Sequence, residues 1–393
     1  MAAYRFPPLN LLEDSPVTGK YQDPAFVARK KEDLQQLFDL FEMDARVVDS
    51  RSSTVGMLLT VRLGEGLTAK AVRERKKDIE LRMEDSVEFK EDEQNDRILY
   101  IVIRDMSRPV TALKEVIHSS PFLESKSRLA VAAGIDFFGG KLIIDLEEIG
   151  NLLVVGVTGS GKSVFLGDVI TSILFKARPD EVQFLFFDFK GVELPLFNDI
   201  PHLITPSVKD REQAMKELER LEETANRRQF LLATGGYATF EAYNASAAEK
   251  LPRIVLIIDE YMSLMDRRGK TDAEFTRIIR NLARSTQQTG IHLILSTQRP
   301  SAKVISREIS EAIPHRVSFY VTSGVDSKIA INRTGAQRLL GEGDMICADI
   351  RSGQGTHAQA ALITDQEIDR VIQFCREQIA FGAEDAAEGY ADG

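Results

Sequence analysis

The sequence predicts an α/β protein in which a mostly parallel sheet covered by helices follows a small α+β domain. Three observations carry this. Five strongly apolar runs recur after residue 150, at 152–155, 182–187, 254–258, 291–295 and 317–321. Runs of that kind are buried on both faces, as strands of a helix-covered parallel sheet are. Helical patterns fit between them at 163–175, 211–232 and 271–289. Lastly, a complete phosphate-loop signature stands directly behind the first run.

Taken in order, residues 1–25 hold Pro7, Pro8, Pro16 and Pro24 and read as an extended lead-in. Residues 26–148 read as the small domain. Its first helix falls at 24–42, with Phe26, Leu34, Leu37, Phe38 and Phe41 at helical spacing. A strand follows at 54–62, a charged amphipathic helix at 68–83 and a second strand at 97–103. Residues 149–380 form the larger domain, broken after its long second helix by Gly235 and Gly236. The segment 381–393, rich in Ala, Gly and acid, reads as a disordered tail.

Composition narrows the function classes. The chain has 393 residues, 43% hydrophobic and 28% charged, which is globular. Two cysteines exclude a disulfide framework and fit a reducing, cytoplasmic compartment. No apolar run reaches the ~18–20 residues that span a bilayer. The net charge of −10 argues against nucleic acid at first sight, since phosphate contacts need Lys and Arg. Its distribution reverses that argument. Residues 1–150 carry 22 bases and 27 acids (22 − 27 = −5), whereas 261–340 carry 13 bases and 6 acids (13 − 6 = +7). A basic inner surface between Arg267 and Arg338 is the expectation.

The phosphate loop reads Gly156, Val157, Thr158, Gly159, Ser160, Gly161, Lys162, Ser163, with Val164 opening the helix behind it. Glycines let backbone N–H groups wrap a phosphate, and the helix N-terminus adds positive partial charge. Lys162 is placed for the β and γ phosphates of ATP, and the Ser163 hydroxyl for Mg²⁺. Asp259 and Glu260 end the apolar run 254–258. Two acids there are costly to bury without a task. Asp259 suits the Mg²⁺ position, and Glu260 suits the base that orients attacking water. Two more strand ends carry polar groups, Asp188 with Lys190, and Gln298, whose amide fits a γ-phosphate sensor. The five histidines and two cysteines show no metal-ligand spacing.

With these strand ends in place, the chain resembles the motor part of the FtsK/SpoIIIE family of DNA translocases. The matching stretches are NLLVVGVTGSGKSVFL, DEVQFLFFDFKGVEL, IPHLIT, RIVLIIDEYMSLM, GIHLILSTQRPSAKVIS, AIPHRVSFYVTSGVDSKIAI and LLGEGDM, in the family's order. The resemblance implies a RecA-like P-loop NTPase core, a homo-hexameric ring and a central channel for double-stranded DNA. It implies ATP and Mg²⁺ at 156–163, hydrolysis assisted by Asp259 and Glu260, and channel loops carrying Arg299, Lys303 and Lys328. Where the family places a trans-acting arginine this chain has Gln287, which leaves Arg284, or Arg280 about a turn earlier, for that task. On this resemblance the family's N-terminal membrane anchor and C-terminal winged-helix module are expected to be absent from this motor part. The expectation is an ATP-driven double-stranded DNA pump. The rivals are a coupling or secretion ATPase moving single-stranded DNA or protein, and an assembly subunit that binds ATP with little turnover.

Overall fold

The computed structural model describes residues 4–15, 20–53, 56–92, 95–104, 110–136, 138–265, 270–302 and 304–388. The smaller sheet holds β1 (Ala45–Ser53), β2 (Gly56–Leu63), β3 (Ser86–Glu91) and β4 (Ile98–Arg104), antiparallel in the order β1-β2-β4-β3. The helix Pro24–Leu40 starts at Asp23, whose carboxylate accepts from the Ala25 N–H, with proline in the first turn. Leu34 and Phe38 seat it on Met57, Leu59, Val61, Leu99, Ile101 and Ile103. The helix expected at 68–83 is two helices, Ala69–Glu74 and Lys76–Met83, parted at Arg75. That break lets Val72, Ile79 and Met83 all reach the same core.

The larger sheet adds β5 (Ala130–Asp136), β6 (Lys141–Asp145), β7 (Leu152–Val155), β8 (Val182–Asp188), β9 (Arg253–Asp259), β10 (Ile291–Thr297), β11 (His315–Ser318), β12 (Asp344–Asp349) and β13 (Gly355–Ala360). Its order is β6-β5-β13-β12-β11-β7-β10-β9-β8. The five predicted apolar runs are the parallel strands β11-β7-β10-β9-β8. The other four extend the sheet antiparallel from β11. One apolar layer covers Val154, Ile257, Val317 and the phosphate-loop helix Lys162–Leu174. A second covers Leu153, Val155, Leu256 and Ile258.

Several boundaries shift from expectation. β5 and β6 precede residue 148 yet belong to the large sheet, so the domain boundary falls between β4 and residue 112. The helix expected at 271–289 ends at Arg284, with a short turn of helix Thr286–Thr289 behind it. β11 stops at Ser318 rather than 321. The last helix, Asp365–Glu388, runs through 381–388, the larger part of the segment read as a disordered tail. Among the described residues no helix is long and apolar enough to cross a membrane.

The lead-in is fastened to the large domain, and the two sheets meet at a charged cluster. The lead-in lies along the last helix: Glu13 N–H donates to Glu367, Arg370 donates to the Leu11 carbonyl, and Arg5 and Gln378 exchange two hydrogen bonds. Ser15 Oγ accepts from the Ala112 N–H and donates to Glu115. At the facing sheets, Glu88 and Arg104 meet Asp344 and His357 in a closed ring. Arg104 bonds both acids, and His357 reaches Glu88 through Nδ1 (2.9 Å) and Asp344 through Nε2 (2.6 Å).

Candidate nucleotide-phosphate site

Because β7, β8, β9 and β10 are parallel, their carboxyl ends line one edge of the sheet. Ligands collect at such an edge. Behind β7 the loop turns on Gly159 (φ 78°) and Gly161 (φ 107°), torsions that favour glycine. A Cβ on Gly161 would stand 2.6 Å from the Gly343 nitrogen. Gly343 N–H in turn donates to the Ser160 carbonyl at 2.9 Å. Gly161→Ala is therefore expected to abolish ATP binding measured by titration calorimetry while the circular-dichroism spectrum stays that of the wild type.

Lys162 is buried and bonded. Its Nζ lies 2.5 Å from Asp259 Oδ1 and 2.9 Å from Ser296 Oγ, and Ser296 donates to the same Asp259 oxygen at 2.6 Å. Burial pushes the Asp259 carboxyl up, but the Lys162 ammonium and these hydrogen bonds outweigh it and hold it below the usual carboxylate range. Glu260 follows with a left-handed backbone (φ 57°, ψ 68°). Its Oε1 accepts from Thr297 Oγ1 at 3.0 Å, and Lys190 Nζ lies 3.4 Å from Oε2. Gln298 turns its amide oxygen to Thr158 Oγ1 at 3.0 Å.

A cavity of about 430 Å³ opens over this loop, lined by Thr158, Gly159, Gly161, Lys162, Ser163, Val164 and Gln298. It continues between Val110, Thr111 and the end of β13, an apolar recess the sequence reading did not contain. Gly156 and Ser160 lie beneath the loop, where a Cβ on Gly156 would meet the Ser160 hydroxyl. Ser296, Thr297 and Gly343 were also missed. The first two sit inside the quoted strand end and Gly343 inside LLGEGDM, and only the fold shows what they touch.

The remaining expected residues lie elsewhere. Arg284 ends its helix ahead of β10, at the opposite end of the sheet from its own phosphate loop, and is exposed. Arg280 is engaged by Glu308 at 3.1 Å. Arg299 is exposed at a groove that also includes Thr158, Ser301 and Asp326. Lys328 is exposed on the helix Gly324–Ile331. Lys303 falls outside the described residues. The basic excess of 261–340 is only partly a surface property. Arg277, Arg280 and Arg307 each face an acid, and Arg316 is interior, donating to Ser310, with burial pushing its guanidinium down to about 10.

Residues 112–302 match the FtsK/SpoIIIE family. The chain is 34% identical over 383 residues to DNA translocase SftA of Bacillus subtilis, covering 96% of this chain and 40% of that protein. It is 34% identical over 376 residues to DNA translocase FtsK of Caldanaerobacter subterraneus, covering 95% and 52%. The chain thus spans about half the length of the curated relatives it matches. Among solved structures, the pCW3 conjugation coupling protein TcpA with ATPγS superposes at a TM-score of 0.61 with 22% identity, over 88% of this chain and 99% of that one. The cytoplasmic domain of the type VII secretion ATPase EccC of Thermomonospora curvata superposes at 0.57 with 21% identity, over 67% and 34%. These two establish the fold as that of the P-loop ATPases. On the translocase likeness and the matching family segment, the chain belongs to the FtsK/SpoIIIE family.

Proposed function

We propose that this chain is an ATP-hydrolysing motor that moves double-stranded DNA through a homo-hexameric ring. The observation that carries hydrolysis is the Lys162–Asp259–Ser296 cluster with Glu260 beside it, at one sheet edge under one cavity. Lys162 would leave Asp259 for the β and γ phosphates, which carry more charge. Glu260 would then orient the attacking water. The Ser163 hydroxyl and the one freed carboxylate, Asp259, fit Mg²⁺, which keeps several waters and takes much of its coordination from phosphates. Bound there, Mg²⁺ would neutralise charge developing on the transferred phosphoryl group. Arg284 stands at the end of the sheet away from its own loop, where a residue serving a neighbouring subunit would stand.

DNA is favoured as cargo by the two DNA translocases that share a third of the aligned residues, and we take it in its duplex form. Arg299 lines a groove with Val157 and Thr158 of the phosphate loop, which would set DNA contact beside the site of hydrolysis. Contacts to backbone phosphate make movement sequence-tolerant and salt-sensitive. The test is ATPase activity with and without linear duplex DNA at low salt, with Lys162→Ala as the blank and Arg284→Ala alongside. Stimulation by duplex DNA in the wild type, and loss in both variants, is the expected outcome. Turnover indifferent to duplex DNA would overturn the translocase reading.

A further inference from the structure

The loop behind β8 is built around one carboxylate. Asp188 is fully buried, and its Oδ1 accepts from the N–H groups of Lys190 (3.0 Å) and Gly191 (2.9 Å). Its Oδ2 accepts from Val192, Glu193 and Leu194 at 3.0, 3.0 and 3.1 Å. Five charge-assisted bonds to one side chain fix the path of residues 189–194. The loop has no comparable freedom to drift, so where it aims its side chains matters.

It aims two charged groups at the site. Glu193 lines the cavity above the phosphate loop. Lys190 brings its ammonium to Glu260 Oε2. The other carboxylate oxygen is already taken by the Thr297 hydroxyl, and the Gln298 N–H approaches both at 3.4 Å. Glu260 also keeps a left-handed backbone that a non-glycine residue adopts at a cost. The carboxylate that should hold a water is therefore held by the protein.

We propose that Lys190 is a positioning residue that parks Glu260 until nucleotide and cargo are both in place. The inference rests on the reading of this chain as an ATP-driven motor. An oxygen engaged by an ammonium has one acceptor site fewer and is held in one orientation, so it is poorly placed to receive the attacking water. Nucleotide phosphates and the DNA backbone together outbid a single carboxylate for the Lys190 charge, whereas nucleotide alone does not, and Oε2 is released only when both are present. The anchor at Asp188 makes this a movement of one side chain over a fixed loop.

The test compares steady-state ATP hydrolysis of full-length wild type, Lys190→Ala, Lys190→Arg and Lys162→Ala, with and without linear duplex DNA. Lys190→Ala is expected to raise the DNA-free kcat about two- to fivefold, the range that a partly exposed ion pair supports, with KM nearly unchanged. The stimulation ratio should fall correspondingly, and Lys190→Arg should restore it. A merely structural role would lower both rates and would not be rescued. A DNA-free kcat that stays level or drops would overturn the proposal. A melting cycle of Lys190→Ala, Glu260→Gln and the double variant, without nucleotide, tests the contact independently of turnover. Non-additive Tm shifts support it, and additive shifts overturn it. A wild type no faster than Lys162→Ala would instead remove the motor reading, leaving the melting cycle to decide the contact.

Discussion

Glu260→Gln is expected to slow ATP turnover by about 10²–10⁴-fold, the span of a lost general base, while ATP affinity stays close to wild type. Glutamine keeps the volume and still offers Thr297 an acceptor, so the strand end keeps its shape. It cannot take a proton from water. Lys162, Ser163 and the glycine loop, to which the proposal gives the phosphate contacts, are untouched. Single-turnover hydrolysis beside calorimetric ATP binding separates the two effects. Equal loss of binding and turnover would show that Glu260 supports the pocket rather than the chemistry.

Asp344→Ala has the largest expected effect on stability. Asp344 is 2% exposed at its side chain and Arg104 6%, so the pair is interior. Removing Asp344 breaks an interior ion pair and takes a carboxylate from the buried Arg104 guanidinium, and such breaks cost about 3–5 kcal/mol. Thermal melting should show a Tm several degrees lower, with Asp344→Asn between the two. The same ring gives a pH signature. His357 donates from both ring nitrogens, which only the imidazolium can do. Burial pushes its pKa down, yet the carboxylates of Asp344 and Glu88 win and raise it above 6.5. A raised folded value means stabilisation that is complete below the unfolded pKa and is lost as pH rises through the folded one. On the acid side, burial raises Glu88 but His357, Arg104 and Lys76 bring it to about 2. Its contribution is present above 4.5 and is lost as pH falls toward 2. The Tm should therefore peak between roughly pH 4.5 and 6.5 and decline above it. His357→Gln should flatten the alkaline limb.

The parallel half of the large sheet was legible because each strand is a local apolar run and the phosphate loop marks its place. The antiparallel half was not. β13 reads Gly-Thr-His-Ala-Gln-Ala, with no apolar run, and its partner β5 lies more than 200 residues earlier. β1 is polar on its face and is a strand only because β2 pairs along it. Distance in sequence also hid the site's finer chemistry. Asp188 and Lys190 were visible at a strand end, but nothing local says that one organises the loop and the other reaches Glu260. Charge counting placed Arg316 on a basic surface, whereas its strand position puts it inside. The proline-rich lead-in looked idle because its partner helix begins some 350 residues later.

That lead-in changes what the small domain is. Residues 4–15 belong to the large domain by contact, and Ser15 is bonded to Ala112 just past the other crossing. The small domain is thus an insertion, leaving and rejoining its host at neighbouring points. The large domain can therefore close on itself without it: Ser15 and Ala112 are already in hydrogen-bond contact, so a short linker in place of the small domain is expected to leave the lead-in paired with its helix.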